Sequence, residues 1–309
     1  MASAPALSGI FVPTLAAVDA EGQLDEDAAR GHLLWLLDRH VAGLYPNGST
    51  GEFARLDDAT QDRILALTLE EAAAYEGRTV LAGAAGGTSR LALARVRRAA
   101  ELGAQVAAVV TPYYYRLGER AVIDFYRHLA AESPIDLVLY NIPLFASPIT
   151  VEAVRELAGD CPRIIGIKDS SGDLAHMQRM LTAVHSERPG FAFLTGWDNV
   201  LASMVSLGCN GGTHAAANVV PEVLVAIHRL VGDGRLAEAR RLQAPLAELF
   251  DTLIEAGEFP DGFRTATAFR GHDLGPGPLP LSSDAEPIRQ RLRQKLPALL
   301  EAFGETLVE

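Results

Sequence analysis

IDLVLYNIPLFASPITVEAVRELAGDCPRIIGIK, residues 135-168, contains two apolar runs, 135-140 and 163-168, on either side of an amphipathic stretch at 150-158. A strand covered on both faces reads as a continuous apolar run, and two parallel strands need a crossover long enough to hold a helix. The segment is therefore a βαβ unit. The same unit recurs outward in both directions, with strands expected at 8-12, 42-46, 78-83, 105-110, 191-195 and 209-213. Between them the pattern predicts helices at 25-39, 57-75, 88-102, 119-131, 173-186 and 198-207, with 219-231 following the eighth strand. Asp57 and Thr88 stand where N-caps are expected, and Pro221 at an early helical position. Eight such units in about 230 residues suit a (β/α)8 TIM barrel, whose usual size is ~250 residues. A doubly wound α/β sheet is the alternative, and the count of eight favours closure. Beyond 222 only helices are expected, at 235-256, 262-271 and 285-303, with the loop GHDLGPGPLPLSSD at 271-284. The expected organisation is a catalytic barrel at 1-221 and a C-terminal helical region at 222-309.

A chain of 309 residues with 49% hydrophobic and 21% charged residues can bury a large core without disulfides or metal. The net charge of −12 argues against nucleic acid or an anionic membrane as partner, because both would be repelled. Cys161 and Cys209 stand singly, and no histidine has ligand spacing, so no metal site is expected. The opening MASAPALSGIFVPTL lacks the basic and apolar regions of a signal peptide, and no segment is apolar enough to span a membrane. The expected location is the cytoplasm. Only Lys168 and Lys295 are lysines among the 27 basic residues, so a lysine kept at one place needs a reason.

In a (β/α)8 barrel the catalytic groups come from the C-terminal ends of the strands. Lys168 ends one such run. An ammonium set among apolar walls loses hydration, which favours the neutral amine that attacks a ketone. The alternative is an ion pair with Asp169. Tyr140 ends the preceding strand and suits proton transfer, or else plugs the top of the barrel. Gly48-Ser49-Thr50-Gly51-Glu52 places small residues and hydroxyls where backbone amides can meet an anion, although a purely geometric turn would read the same way.

With these residues placed, the chain resembles the dihydrodipicolinate synthase/N-acetylneuraminate lyase family of pyruvate-dependent class I aldolases. The matching elements are GSTGE at 48-52, TPYY at 111-114, YNIP at 140-143, GIKD at 166-169 and GCNGGT at 208-213. The resemblance implies that Lys168 forms an imine with pyruvate or another 2-keto acid and that Tyr140 shuttles protons. Ser49 and Thr50 would bind the carboxylate, with Thr50 also linking Tyr140 to a relay. Tyr114 would reach across a subunit interface, so a homo-oligomer is expected, a dimer of dimers. Gly196 and Thr213 would line the site. The covalent imine makes an organic cofactor or metal unnecessary.

Two departures bear on the second substrate. Phe145 stands where the synthases of the family carry an arginine that holds a carboxylate. Asp198-Asn199 stands where the sialic-acid lyases have an Asp-Glu pair for sugar hydroxyls, so Phe145, Asp198 and Asn199 are the expected contacts to the aldehyde half. The expected function is cleavage or formation of a 2-keto-3-deoxy sugar acid or a related 4-hydroxy-2-keto acid, with pyruvate and an aldehyde as partners. Alternatives are condensation of pyruvate with aspartate semialdehyde, a dehydratase of the same family and a non-catalytic 2-keto-acid-binding protein. A phosphate-binding isomerase barrel is a further possibility, without other phosphate ligands in the sequence.

Overall fold

The computed structural model describes residues 7–278 and 282–307. The strands are β1 (Gly9–Val12), β2 (Gly43–Leu44), β3 (Thr79–Gly83), β4 (Val106–Val110), β5 (Asp136–Asn141), β6 (Ile164–Asp169), β7 (Ala192–Thr195) and β8 (Gly211–Thr213). All neighbours pair in parallel, and β8 closes on β1, so the sheet is a barrel of eight strands in sequence order. The barrel reading holds and the doubly wound alternative does not.

The helices that alternate with the strands are α1 (Glu26–Leu37), α2 (Asp58–Ala72), α3 (Ser89–Glu101), α4 (Glu119–Glu132), α5 (Val151–Asp160), α6 (Leu174–Val184), α7 (Leu201–Leu207) and α8 (Pro221–Gly232). Several start where a side chain takes up an otherwise unpaired backbone amide: Asp57 accepts from Thr60 N and Thr88 from Leu91 N. Pro221 occupies the first turn of α8, where its missing amide costs no hydrogen bond. The expected helix at 198-207 divides into a 3-10 turn, Asp198–Val200, and α7, because the Asp198 side chain is drawn inward instead of capping.

Every residue of β4 and β6 is buried, as expected of strands that face the barrel interior on one side and helices on the other. Phe11, Leu81, Val106, Ala108, Val138, Ile165 and Leu194 belong to the interior cluster, and Tyr45 and Tyr140 complete it. The chain ends in α9 (Leu236–Ile254), α10 (Asp261–Phe269) and α11 (Ala285–Glu301). Residues 279-281 of the expected 271-284 loop lie outside the described residues. The residue-221 boundary falls at the first residue of α8, which packs on β1 and on α9 alike. No helix among the described residues is long and apolar enough to cross a membrane.

Candidate active site

β5 and β6 run side by side in a register that places Tyr140 opposite Lys168. The Lys168 ammonium nitrogen lies 4.0 Å from the centre of the Tyr140 ring and 4.8 Å from that of Tyr45. Both Lys168 and Tyr140 are buried. The ion pair with Asp169 that a strand-end lysine might make is absent. That carboxylate accepts from Asn141 Nδ2 at 2.6 Å and from the Ser171 hydroxyl at 2.8 Å, and burial still raises it above the usual carboxylate range. No carboxylate among the described residues forms an ion pair with Lys168.

Tyr45, which follows β2, was given no role by the sequence, although it closes the expected 42-46 strand. Its ring meets that of Tyr140 edge to face at 6.1 Å. Burial, with lesser contributions from Tyr140 and Tyr126, holds the Tyr45 phenol well above its ordinary pKa, so it stays protonated. The two tyrosines are thereby unlike: Tyr45 is sealed, whereas the Tyr140 hydroxyl reaches Ser49 Oγ at 3.2 Å. The Tyr140 hydroxyl thus meets Ser49 Oγ, on a turn in which Asn47 and Glu52 both adopt left-handed backbone (φ 57°). Thr50 is buried beside Ser49, and neither amide donates to another group among the described residues.

Gly196 follows β7, and its absent side chain is the point. A Cβ there would lie 3.0 Å from Lys168 Cε and 2.1 Å from Ser170 Oγ. Thr213 ends β8 with a buried hydroxyl that has no hydrogen-bond partner among the described residues. Asp198 and Asn199 are not brought to this centre. Asp198 is buried, accepts from Ala216 N at 2.9 Å and lies 3.4 Å from His214 Nδ1. Asn199 donates to Asp251 of α9 at 2.7 Å. Each of the two side chains keeps one buried oxygen, Asp198 Oδ2 and Asn199 Oδ1, without a hydrogen-bond partner among the described residues.

A cavity of about 410 Å³ adjoins Ser49 and is lined by Phe53, Tyr113, Ile142, Phe145 and Phe259 among others. Phe145 thus lines the cavity that adjoins Ser49. Phe259, from the turn between α9 and α10, was missed; its ring lies 6.3 Å from that of Phe145. The terminal helices enter the site a second way: Arg264 of α10 is buried and pairs with Glu52, which also takes Arg55 Nη1 at 2.8 Å. Arg264 further donates to Ala16 O at 2.8 Å and Leu274 O at 2.9 Å. Tyr114 stands apart, 89% exposed, at φ 75°. No group of three or more His, Cys, Asp or Glu among the described residues could hold a metal ion.

Residues 6–299 match the model of the dihydrodipicolinate synthetase family. The chain is 33% identical over 244 residues to a probable 2-dehydro-3-deoxy-D-pentonate aldolase, YjhH, of Escherichia coli K12, covering 78% of this chain and 80% of that one. It is 32% identical to a 4-hydroxy-tetrahydrodipicolinate synthase of Methanospirillum hungatei, covering 88% and 92%. Among solved structures it is similar to YagE of E. coli K12, a prophage protein of the dihydrodipicolinic acid synthase family in complex with pyruvate. That match has a TM-score of 0.89 at 28% identity and covers 95% of this chain and 99% of that chain. The chain belongs to the dihydrodipicolinate synthetase family and is a lyase of its pyruvate-dependent kind.

Proposed function

We propose that this family member is a Schiff-base-forming aldolase that cleaves, or forms, a 4-hydroxy-2-keto acid, with pyruvate as the common product or substrate. The observation that carries the reading is the Lys168 amine, buried, free of carboxylate partners and set 4.0 Å over the ring of a tyrosine whose hydroxyl is bonded to Ser49. The amine adds to the C2 carbonyl and water leaves, giving an iminium. Tyr140, whose own proton has left with that water, accepts the proton of the 4-hydroxyl as the C3–C4 bond breaks. The bonding pair moves into the enamine and an aldehyde departs. Protonation at C3 and hydrolysis then release pyruvate and restore the amine. Tyr45 is protonated throughout and serves as a wall, which leaves Tyr140 as the proton carrier.

The amides and hydroxyls of Ser49 and Thr50 receive the pyruvate carboxylate, and the unpartnered Thr213 hydroxyl and the bare face of Gly196 complete that end. No metal or organic cofactor takes part. Residues 1–221 act as the catalytic barrel, and the helices beyond supply Phe259 and Arg264 to its mouth. The exposed Tyr114, in left-handed backbone, fits a residue that enters a neighbouring subunit, so the working form is a homo-oligomer, a dimer of dimers. Two free, buried cysteines suit a reducing cytoplasm.

Phe145 weighs against the synthase reading, because it offers no cation for the carboxylate of aspartate semialdehyde and Arg55, the cation lining the same cavity, is paired with Glu52. A dehydratase would use the same lysine and differs only in its product. Borohydride reduction in the presence of pyruvate is expected to add a stable mass to the peptide bearing Lys168. Assays of pyruvate release from 4-hydroxy-2-keto acids should then show turnover. The reading fails if no adduct forms on the intact oligomer, or if aspartate semialdehyde is consumed faster than any of these acids is cleaved.

A further inference from the structure

The cavity beside Ser49 has walls of one chemical kind. Phe53 and Tyr113 meet edge to face at 5.8 Å on one side, and Phe145 and Phe259 form a tilted pair at 6.3 Å on the other. Ile142 belongs to the same lining. Two of the charged groups that border it, Glu52 and Arg55, are paired with each other. Arg55 donates to Glu52 at 2.8 Å and to Phe259 O at 3.2 Å, and the other Glu52 oxygen is taken by Arg264. Glu258 stands exposed at the rim, where it opposes an anionic substituent.

A polyhydroxylated chain entering this space would give up water for ring faces. Each hydroxyl so buried without a partner costs binding. Asp198 and Asn199, the side chains placed to compensate in the sequence, are held at the rim by Ala216 N and Asp251. A flat apolar group loses nothing of this sort and gains edge-to-face contacts with both aromatic pairs. A volume of about 410 Å³ admits a substituted ring.

We infer that the aldehyde half is an uncharged aromatic group, so that the preferred substrates are 4-aryl-4-hydroxy-2-keto acids, cleaved to pyruvate and an aromatic aldehyde. The inference rests on the aldolase reading above. The bonds broken and formed are the same: the 4-hydroxyl proton passes to Tyr140, the C3–C4 pair enters the enamine, and the water lost on imine formation returns on hydrolysis.

The test compares kcat/KM for pyruvate release from 4-hydroxy-4-phenyl-2-oxobutanoate and from 2-keto-3-deoxygluconate. The aryl acid is expected to lead by at least about tenfold. Equal or faster cleavage of the sugar acid, with Lys168 still trapped by borohydride and pyruvate, overturns the aromatic assignment and leaves the aldolase standing. Loss of trapping overturns both. Phe145→Ser is expected to lower the aryl-to-sugar ratio by about tenfold, and Phe145→Leu to retain most of it. A ratio unmoved in a cooperatively folded Phe145→Ser would remove Phe145 from the specificity wall. Should that variant not fold, the wild-type ratio alone decides.

Discussion

The two ends of the site are built differently. The proposed imine end is a floor made of strand: Lys168 and Tyr140 sit opposite one another across β5 and β6 and are 4% and 3% exposed. The proposed aldehyde end is a wall made of turns, with Phe53 after β2, Phe145 after β5 and Phe259 from the terminal helices, and Phe145 is 50% exposed. A ladder of backbone hydrogen bonds fixes the floor to within a fraction of an ångström, as covalent chemistry requires. Only the local hydrogen bonds of turns and side-chain contacts hold the wall, outside the barrel ladder, so its side chains can change with less disturbance to the barrel. One fold can thereby keep a reaction and exchange the partner it acts on.

If the floor carries the chemistry, Lys168→Ala should have the largest effect. We expect kcat to fall by about 10⁴-fold or more for every substrate, with borohydride labelling abolished. Residual turnover above that level would mean that another group forms the adduct. Tyr140→Phe is expected to cost about 10²- to 10⁴-fold, and to slow aryl and sugar acids by the same factor, because it acts on the half they share. A change in their ratio would show that the floor also selects.

The wall depends on the buried Arg264–Glu52 pair, so Arg264→Met should lower stability by about 3–5 kcal/mol in urea unfolding. It should also raise KM for the aldehyde more than it reduces labelling by pyruvate, and an equal effect on both would erase the distinction between floor and wall. The smallest effect concerns the helical shell away from both ends, where His32 of α1 meets Asn218. Burial, opposed by the bond to Asn218, lowers the His32 imidazole from 6.5 to about 4. The unfolded chain binds a proton below 6.5 that the folded one refuses, so this contribution is whole above that pH. It is lost as pH falls towards 4, amounting to on the order of 3 kcal/mol. Unfolding free energies of His32→Gln at pH 7 and pH 4 should differ by less than those of the wild type. An undiminished difference would assign the acid sensitivity elsewhere.

The same division governs what could be read from the chain. Apolar runs and capped helices repeat eight times, which is sufficient for the barrel, and the strand-end rule then leads directly to Lys168 and Tyr140. Ser49 and Thr50 are adjacent hydroxyls, and the contact of Ser49 with Tyr140 depends on the conformation of the turn that carries them, which no residue pattern spells out. Asp198 and Asn199 follow Gly196 and so belong at the mouth by position. Their side chains turn away because Ala216 N and Asp251, remote in sequence, offer them hydrogen bonds. Phe259 carries no signal of its own, since it lies in a region whose periodicity speaks only of helix. Its approach to Phe145 depends on how α9 and α10 dock.

The rarity of lysine gives the site an analytical property. Lys295 lies exposed on α11, whereas Lys168 is buried near the C-terminal end of β6. The two therefore differ in how fast a reagent that alkylates primary amines can reach them, one answering to solvent and the other to whatever fills the cavity. With no third lysine to blur the count, a fall in the ratio of the Lys168 to the Lys295 modified peptide when a ligand is added reports protection of Lys168 by that ligand.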